Sequence, residues 1–345
     1  MKKAIVTGLW SLALLCGLTL PAYAQELLVG GQAVGIQIST EGVLVAGLCP
    51  VETAEGSRCP AEDAGIREGD LIVRAGGREI PDAAALVDAV ENAAGPLALG
   101  LRRGTQELTL EVAPAAGEDG RPMLGILLRD GLAGIGTLTF CDPESGVFGA
   151  LGHSVNDSRS GLTVPLREGS ITDAQIVSVK PGASGAPGEL DGVADLGRVL
   201  GSIERNTENG IFGTAFDSLG GRRLEVGVIR AGPAAIVSTV EGREAREYAV
   251  EVNRVYRDSG GTHAMLSVTD PELLARTGGI VQGMSGSPIL QDGRLAGAVT
   301  HVLVSDPTKG YGISIEDMFG ISITDEDAAQ LYTVRRIVEY LEKLQ

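Results

Sequence analysis

Gly283-Met284-Ser285-Gly286-Ser287-Pro288 lies near the C-terminal end of a 345-residue chain and sets one serine between two glycines. Glycine tolerates the left-handed backbone that a tight turn demands, so Gly283 and Gly286 let the chain fold round Ser285 and expose its hydroxyl. The same turn can aim the N–H groups of Gly283 and Ser285 at one point, where a developing oxyanion would be held. Apolar runs flank it, Gly279-Ile280-Val281 before and Pro288-Ile289-Leu290 after, so it reads as strand, loop, strand. In a chain with 50 glycines the turn also suits an ordinary hairpin, and the nucleophile reading needs a base to match.

The chain has three histidines, His153, His263 and His301. His153 follows the apolar run Phe148-Gly149-Ala150-Leu151 and opens a polar turn, a setting that is rigid behind and open in front, as a general base requires. His263 precedes the run Ala264 to Val268 and reads as an edge residue. His301 follows the serine by one strand and reads as part of the cleft floor, with the base as its second possible role. A third group has to hold the imidazole and stabilise its charged form. Asp270 ends an apolar run shortly before the serine turn, but Asp270-Pro271-Glu272 also suits a helix cap. Asp157 and Asp142 are alternatives near His153.

Residues 134–155 and 268–317 resemble the peptidase domain of sporulation stage IV protein B. The strings that carry the likeness include Gly149-Ala150-Leu151-Gly152-His153-Ser154-Val155, Thr277-Gly278-Gly279-Ile280-Val281-Gln282-Gly283-Met284-Ser285-Gly286-Ser287-Pro288, and Asp306-Pro307-Thr308-Lys309-Gly310-Tyr311-Gly312. In that family a PDZ domain precedes a serine peptidase with a His–Asp–Ser triad. The resemblance implies His153 as base, Asp270 as orienting acid and Ser285 as nucleophile. The order agrees with chymotrypsin, although Asp270 lies much nearer the serine in sequence than the corresponding acid does there. The residues after the base, Ser154-Val155-Asn156, are more polar than the family pattern. The resemblance also implies a biological role. A membrane-associated regulator would be cleaved in the space between the two membranes of a developing spore, with self-cleavage after export.

Residues 1–24 fit export. Lys2 and Lys3 precede an apolar core from Val6 to Leu20, and Ala22-Tyr23-Ala24 offers a cleavage site before Gln25. The core is short for a bilayer of about 30 Å, so a removable signal peptide is expected, with an uncleaved anchor as the other possibility. No later stretch is long and apolar enough to span, and none is expected to hold the mature chain in a membrane. The formal charge of −17 disfavours nucleic acid and anionic lipid as partners.

The fold expected is mainly β: a small α+β PDZ domain followed by a chymotrypsin-like double β-barrel with a C-terminal helix. Residues 26–115 resemble a PDZ domain through Ala64-Gly65-Ile66-Arg67-Glu68-Gly69-Asp70. The likeness implies Gly35, Ile36, Gln37 and Ile38 as the loop that captures a peptide C-terminus, with Leu86 and Val90 on a helix facing the same groove. That groove could equally dock on the peptidase domain. Residues 116–122 read as a linker and 123–345 as the peptidase, built from short strands in two six-stranded halves. Gly182-Ala183-Ser184-Gly185-Ala186-Pro187 echoes the serine turn without its apolar setting, and Ser184 reads as a loop serine. Leu331, Val334, Ile337, Val338 and Leu341 form one face of a closing helix.

Cys49 and Cys59 bracket a polar loop and could bond outside the cytoplasm, leaving Cys141 to pack in a strand. No cysteine–histidine spacing of the zinc type is present, so neither a metal nor a cofactor is expected. Tyr311 is a candidate specificity residue. Two other classes fit the same motifs: a non-catalytic PDZ scaffold, and a periplasmic quality-control protease, in which the PDZ would follow the protease.

Overall fold

The computed structural model of the chain describes residues 26–157, 161–217 and 219–318. The expected signal segment and the helix face from Leu331 to Leu341 lie outside the described residues. Strand β1 is Glu26–Val29 and β2 is Ala33–Leu48; β3 (Val51–Thr53) and β4 (Gly56–Arg58) form a hairpin before helix α1 (Pro60–Asp63). Next come β5 (Leu71–Ala75), β6 (Arg78–Glu79), helix α2 (Ala83–Glu91), β7 (Leu97–Arg103) and β8 (Gln106–Val112). A short hairpin of β9 (Ala115–Ala116) and β10 (Pro122–Met123) leads into β11 (Ile126–Cys141) and β12 (Val147–Ala150). Strands β13 (Leu166–Lys180), β14 (Glu189–Thr207), β15 (Gly210–Ala215) and β16 (Arg222–Glu225) follow. The last portion holds β17 (Gly232–Ser238), β18 (Arg246–Asp258), β19 (Gly261–Val268), helix α3 (Pro271–Thr277), β20 (Pro288–Gln291), β21 (Arg294–Val302), β22 (Lys309–Ser314) and helix α4 (Ile315–Met318).

The described chain is mainly β, with two barrels and a small α+β unit. In the first barrel β11, β12, β15, β14, β13 and β2 pair in turn, and pairing of β11 with β2 closes the ring. Val34, Ile36 and Ile38 alternate along β2 and are buried with Leu138, Phe148 and Ile171, as the two-residue period of a strand requires. The second barrel closes in the order β17, β18, β19, β22, β21, β20. A shared apolar cluster joins the two, with Leu27, Phe140 and Phe212 packed against Leu290, Leu295 and Ile313.

The small unit does not occupy residues 26–115 as expected. Its core runs from Val43 to Leu124, with Ile126 and Leu128 packed against it, under helix α2. Strand β1 and the first half of β2 belong instead to the barrel side, where β1 pairs with β11 and β16 and residues 34–40 of β2 pair with β13. The second half of β2 pairs with β5 and with the start of β11. One strand therefore serves both units. Residues 116–122, expected as a linker, form a closed turn in which Gly117 N–H donates to Arg121 O (2.9 Å) and Arg121 N–H to Asp119 Oδ1 (3.0 Å).

Cys49 and Cys59 are unbridged. The Cys49 N–H and the Cys59 thiol share one acceptor, the Gly125 carbonyl, at 2.9 and 3.4 Å, so the thiol is spent on the backbone rather than on its neighbour. Cys141 packs in the first barrel, and burial, helped by nearby Asp142, raises its thiol to about 11, which keeps it protonated and unreactive.

Asp70 is the polar centre of the small unit. It is wholly buried, takes two bonds of 2.7 Å from Arg103 and accepts the Arg67 N–H at 2.8 Å. Asp70→Ala leaves the part-exposed Arg103 guanidinium and the Arg67 N–H without their acceptor, so it should cost about 1–3 kcal/mol in urea unfolding; a loss below about 0.5 kcal/mol would mean the pair is not structural. Between the barrels, Thr137 and Thr139, two residues apart on one face of β11, donate to Gly283 O and Gly286 O, each at 2.8 Å. Replacing either by Val removes the donor and leaves a shielded carbonyl unpaired. Each change is expected to lower stability by about 1–3 kcal/mol, read by the same unfolding experiment.

Candidate active site

The Ser285 turn is held from three directions. Helix α3 is capped by Asp270 and ends at Gly278, after which Ile280 N–H donates to Pro307 O and Gln282 N–H to Gly188 O of the first barrel. Leu190 N–H returns a bond to Gln282 O at 2.9 Å. Thr137 supplies a second bond beyond its hydroxyl, its N–H donating to Ser285 O at 3.1 Å. Gly286 has φ +93, and a Cβ there would sit 2.1 Å from Thr137 O, so contact between the barrels at this point excludes any side chain.

Within the turn, Met284, Gly286 and Ser287 spend their N–H groups on Val281 O, Val299 O and Met284 O. Among the described residues no protein acceptor meets the N–H of Gly283 or of Ser285. These are the two groups the sequence assigns to an oxyanion. The Ser285 hydroxyl donates to Thr300 O at 2.7 Å.

His153 reaches the same cleft from the first barrel. It follows β12 through two residues in left-handed conformation, Leu151 (φ 70) and Gly152 (φ 69). Leu151 is a bulky residue in a costly conformation, and such strain persists only where the surroundings impose it. Asn206 fixes the segment beyond, accepting from Val155 N–H at 2.8 Å and donating to Val155 O and Val164 O. The ring Nδ1 lies 2.8 Å from Ser154 O. A carbonyl can only accept, so the proton sits on Nδ1 and the Nε2 lone pair is left free, which is the tautomer a base needs. Burial lowers the pKa of His153, opposed by the Ser154 carbonyl. His301 stacks on it with ring centres 4.6 Å apart and an interplanar angle of 31°. Desolvation first, and repulsion from His153 second, push His301 down to about 4.

Ser285, His153, His301 and Gly283 thus line one cleft of about 540 Å³ between the barrels. Asp270 is not part of it. Its Oδ1 accepts from Glu272 N–H and Leu273 N–H, both at 3.0 Å, and its Oδ2 faces Ala249 N–H at 3.3 Å, so the carboxylate caps α3. The alternatives are engaged elsewhere: Asp157 pairs with Arg129 at 2.7 Å, and Asp142 holds the Ser145 hydroxyl and Glu144 N–H. In this conformation the acceptor that orients His153 is the backbone carbonyl of Ser154. His263, expected at an edge, lies instead within β19, paired with Tyr256 on one side and Ile313 on the other and beside Asp258, and Tyr311 is not among the cleft residues.

Gly35, Ile36, Gln37 and Ile38 do not form a peptide-capturing loop. They are mid-strand in β2, paired on one side with residues 132–135 of β11 and on the other with residues 169–172 of β13, which leaves no edge for a peptide. Ile36 lines the cleft of Ser285 and His153 instead. Leu86 and Val90 are buried on α2 in the core of the small unit and border a groove of about 280 Å³. The groove is also lined by the chain's own Met123 to Leu128, whose β11 portion already pairs with Val45 to Leu48. Sequence reasoning missed Thr137, Thr139 and Asn206, which position the site; the polar threonines in the apolar run Ile135 to Phe140 were the one hint, and Asn206 sits among other polar residues.

The chain has local likenesses to known proteins. It is 36% identical over 55 residues to the serine protease HTRA1 of Xenopus tropicalis, a match that covers 16% of this chain and 12% of the relative's length. The PDZ domain of an SdrC-like protein from Listeria monocytogenes is similar at 22% identity and a TM-score of 0.22, over 27% of this chain and 93% of that one. The active form of the Rv3671c protease from M. tuberculosis is similar at 14% identity and a TM-score of 0.32, over 56% and 76%. The profile of the SpoIVB peptidase S55 family matches residues 120–319, more than half of the chain, including both barrels' cleft-forming turns. The chain belongs to the SpoIVB peptidase S55 family, a family of serine peptidases.

Proposed function

We propose that the chain is a serine endopeptidase in which His153 activates Ser285 and the N–H groups of Gly283 and Ser285 bind the oxyanion. The observation that carries this reading is the meeting of Ser285 and neutral, Nδ1-protonated His153, from different barrels, in one cleft beside two unspent amides. The Ser285 hydroxyl turns from Thr300 O towards Nε2 of His153, which takes its proton as Oγ attacks the peptide carbonyl. Negative charge on the carbonyl oxygen is met by the two amides, in a site where water is scarce and such bonds are strong. The imidazolium keeps its Nδ1–H bond to Ser154 O while the neutral His301 ring lies against it. It then protonates the leaving amine, and water, deprotonated by the same nitrogen, releases the acyl group.

The substrate is a protein, and the family resemblance supports a membrane-associated regulator cleaved during sporulation signalling, with self-cleavage following export into the intermembrane space. The groove beside α2 supports a role for the small unit in gripping a peptide segment, at Leu86 and Val90 rather than at Gly35 to Ile38.

Fluorophosphonate labelling tests the pair directly. Wild type should be labelled at Ser285, Ser285→Ala not at all, and His153→Ala about 10²–10⁴-fold more slowly; labelling that survives in Ser285→Ala sinks the assignment. Asp270→Asn separates two roles for that residue. Asn caps a helix about as well as Asp, so a capping role predicts nearly wild-type labelling and stability. A loss of about 10⁴ would instead make Asp270 the orienting acid of a rearranged active state.

The pH dependence has a definite sign. The base works only when unprotonated, and its pKa is lowered from the ordinary 6.5, so kcat/KM should hold as pH falls through 6.5 and drop only below it. A half-maximal point above 6.5 would contradict a desolvated base. Stability follows in the same direction. His301 is held near 4 in the folded chain against 6.5 ordinarily, so its unfolded form binds the extra proton first. Its contribution is intact above about 6.5 and lost as pH falls towards about 4.

A further inference from the structure

Among the described residues that wall the Ser285–His153 cleft, none carries an Asp, Glu, Lys or Arg side chain, although the chain as a whole has a formal charge of −17. The walls are aliphatic on both sides, with Ile36, Leu132 and Ile135 from the first barrel and Val281, Val302 and Val304 from the second. The polar side chains that remain, Ser154, Asn156, Gln282 and Thr300 beside Ser285 and the two histidines, are all uncharged at neutral pH. His153 is part-buried in this wall, and burial is the first cause that depresses its pKa, in keeping with aliphatic surroundings.

The rim is fixed as well. Gly185 N–H donates to Val304 O at 2.9 Å and the Ser184 hydroxyl to Ser305 O at 2.8 Å. The turn from Gly182 to Pro187, which resembles the nucleophile turn in sequence, thus ties the edge of the second barrel to the first. Val304 is held at the mouth, and Pro187 adds to the same wall.

Resting on the peptidase reading above, we propose that this cleft selects substrate segments with uncharged, aliphatic side chains on the residues flanking the scissile bond. A Lys or Glu side chain placed there exchanges water for a wall that offers no opposite charge, a loss that aliphatic contacts do not return. A Val, Leu or Ile side chain gains from the same burial. Segments of this kind are buried in most folded proteins, so a substrate offers one only where it is unfolded, newly exported or separated from a partner. Selection then acts on exposure of an apolar stretch as much as on its sequence.

The test uses the purified chain with peptide libraries generated from a proteome by two proteases of different specificity, cleavage sites being read by mass spectrometry. Aliphatic residues should be enriched at the two positions either side of the cut, and charged residues reduced on the order of 100-fold relative to Leu. Val302→Asp should raise the share of Lys and Arg relative to Leu at one of these positions. Charged residues cleaved as readily as Leu, or a Leu-to-Lys ratio unmoved by Val302→Asp, would overturn the proposal. Binding to Ser285→Ala, followed by fluorescence anisotropy with paired Leu-rich and Lys- or Glu-substituted peptides, keeps selection testable without turnover. Selective binding of the Leu-rich peptide supports the proposal even if cleavage is slow, and equal binding overturns it. Failure of the peptidase reading would look different: aliphatic peptides bound, yet neither cleavage nor phosphonate labelling by the wild-type chain.

Discussion

Two threonine hydroxyls cross from one barrel to the other and end on the carbonyls of Gly283 and Gly286, the residues that flank the nucleophile turn's centre. Everything chemical about the site depends on that crossing. The turn has to leave two amides unspent, which is a cost in any protein interior, and it can do so only if its carbonyls are well satisfied and its backbone cannot relax. Thr137 N–H bonded to Ser285 O, and the exclusion of any side chain at Gly286, complete the restraint from the same strand. The base is positioned relative to this strand too, because β12, which leads to His153, is the neighbour of β11. Ser285 and His153 therefore share one reference frame, β11, although they lie far apart in the chain.

The same strand links the site to the small unit. Its N-terminal residues Ile126 to Arg129 pair with the second half of β2, and its middle residues with the first half. What sequence composition presents as a linker followed by a new domain is a continuous pairing that passes from the α2 groove to the catalytic cleft. Glycine, alanine and acidic residues at 115–120 look like flexible chain, but a short hairpin needs the same residues, and only the pairing partners distinguish them.

Legibility in the sequence followed how local each constraint is. The Ser285 turn and the His153 turn were readable because glycine placement and apolar flanks are local signals of a tight turn. Asp270 was ambiguous for a physical reason: an aspartate before a proline satisfies a helix N-terminus with the same carboxylate that an imidazole would need, and here the helix has it. Gly35 to Ile38 carried the pattern of a peptide-binding loop, yet barrel closure between β2, β11 and β13 is a long-range event that no local pattern announces. Thr137 and Thr139 were invisible for the same cause. Their spacing says only that they share a face, not that the face meets the nucleophile turn.

Strand β2 runs unbroken for sixteen residues, with Ile36 in the wall of the cleft and Val43 and Val45 in the core of the small unit. For this molecule the usual picture of interchangeable beads on a string fails. A cut in its first half removes a stave from the barrel and a cut in its second half removes a strand from the small unit, so the small unit is not a cassette joined to the barrel by a free linker. An insertion or deletion within β2 would shift the register of one unit against the other, so the strand couples the two as a single stave.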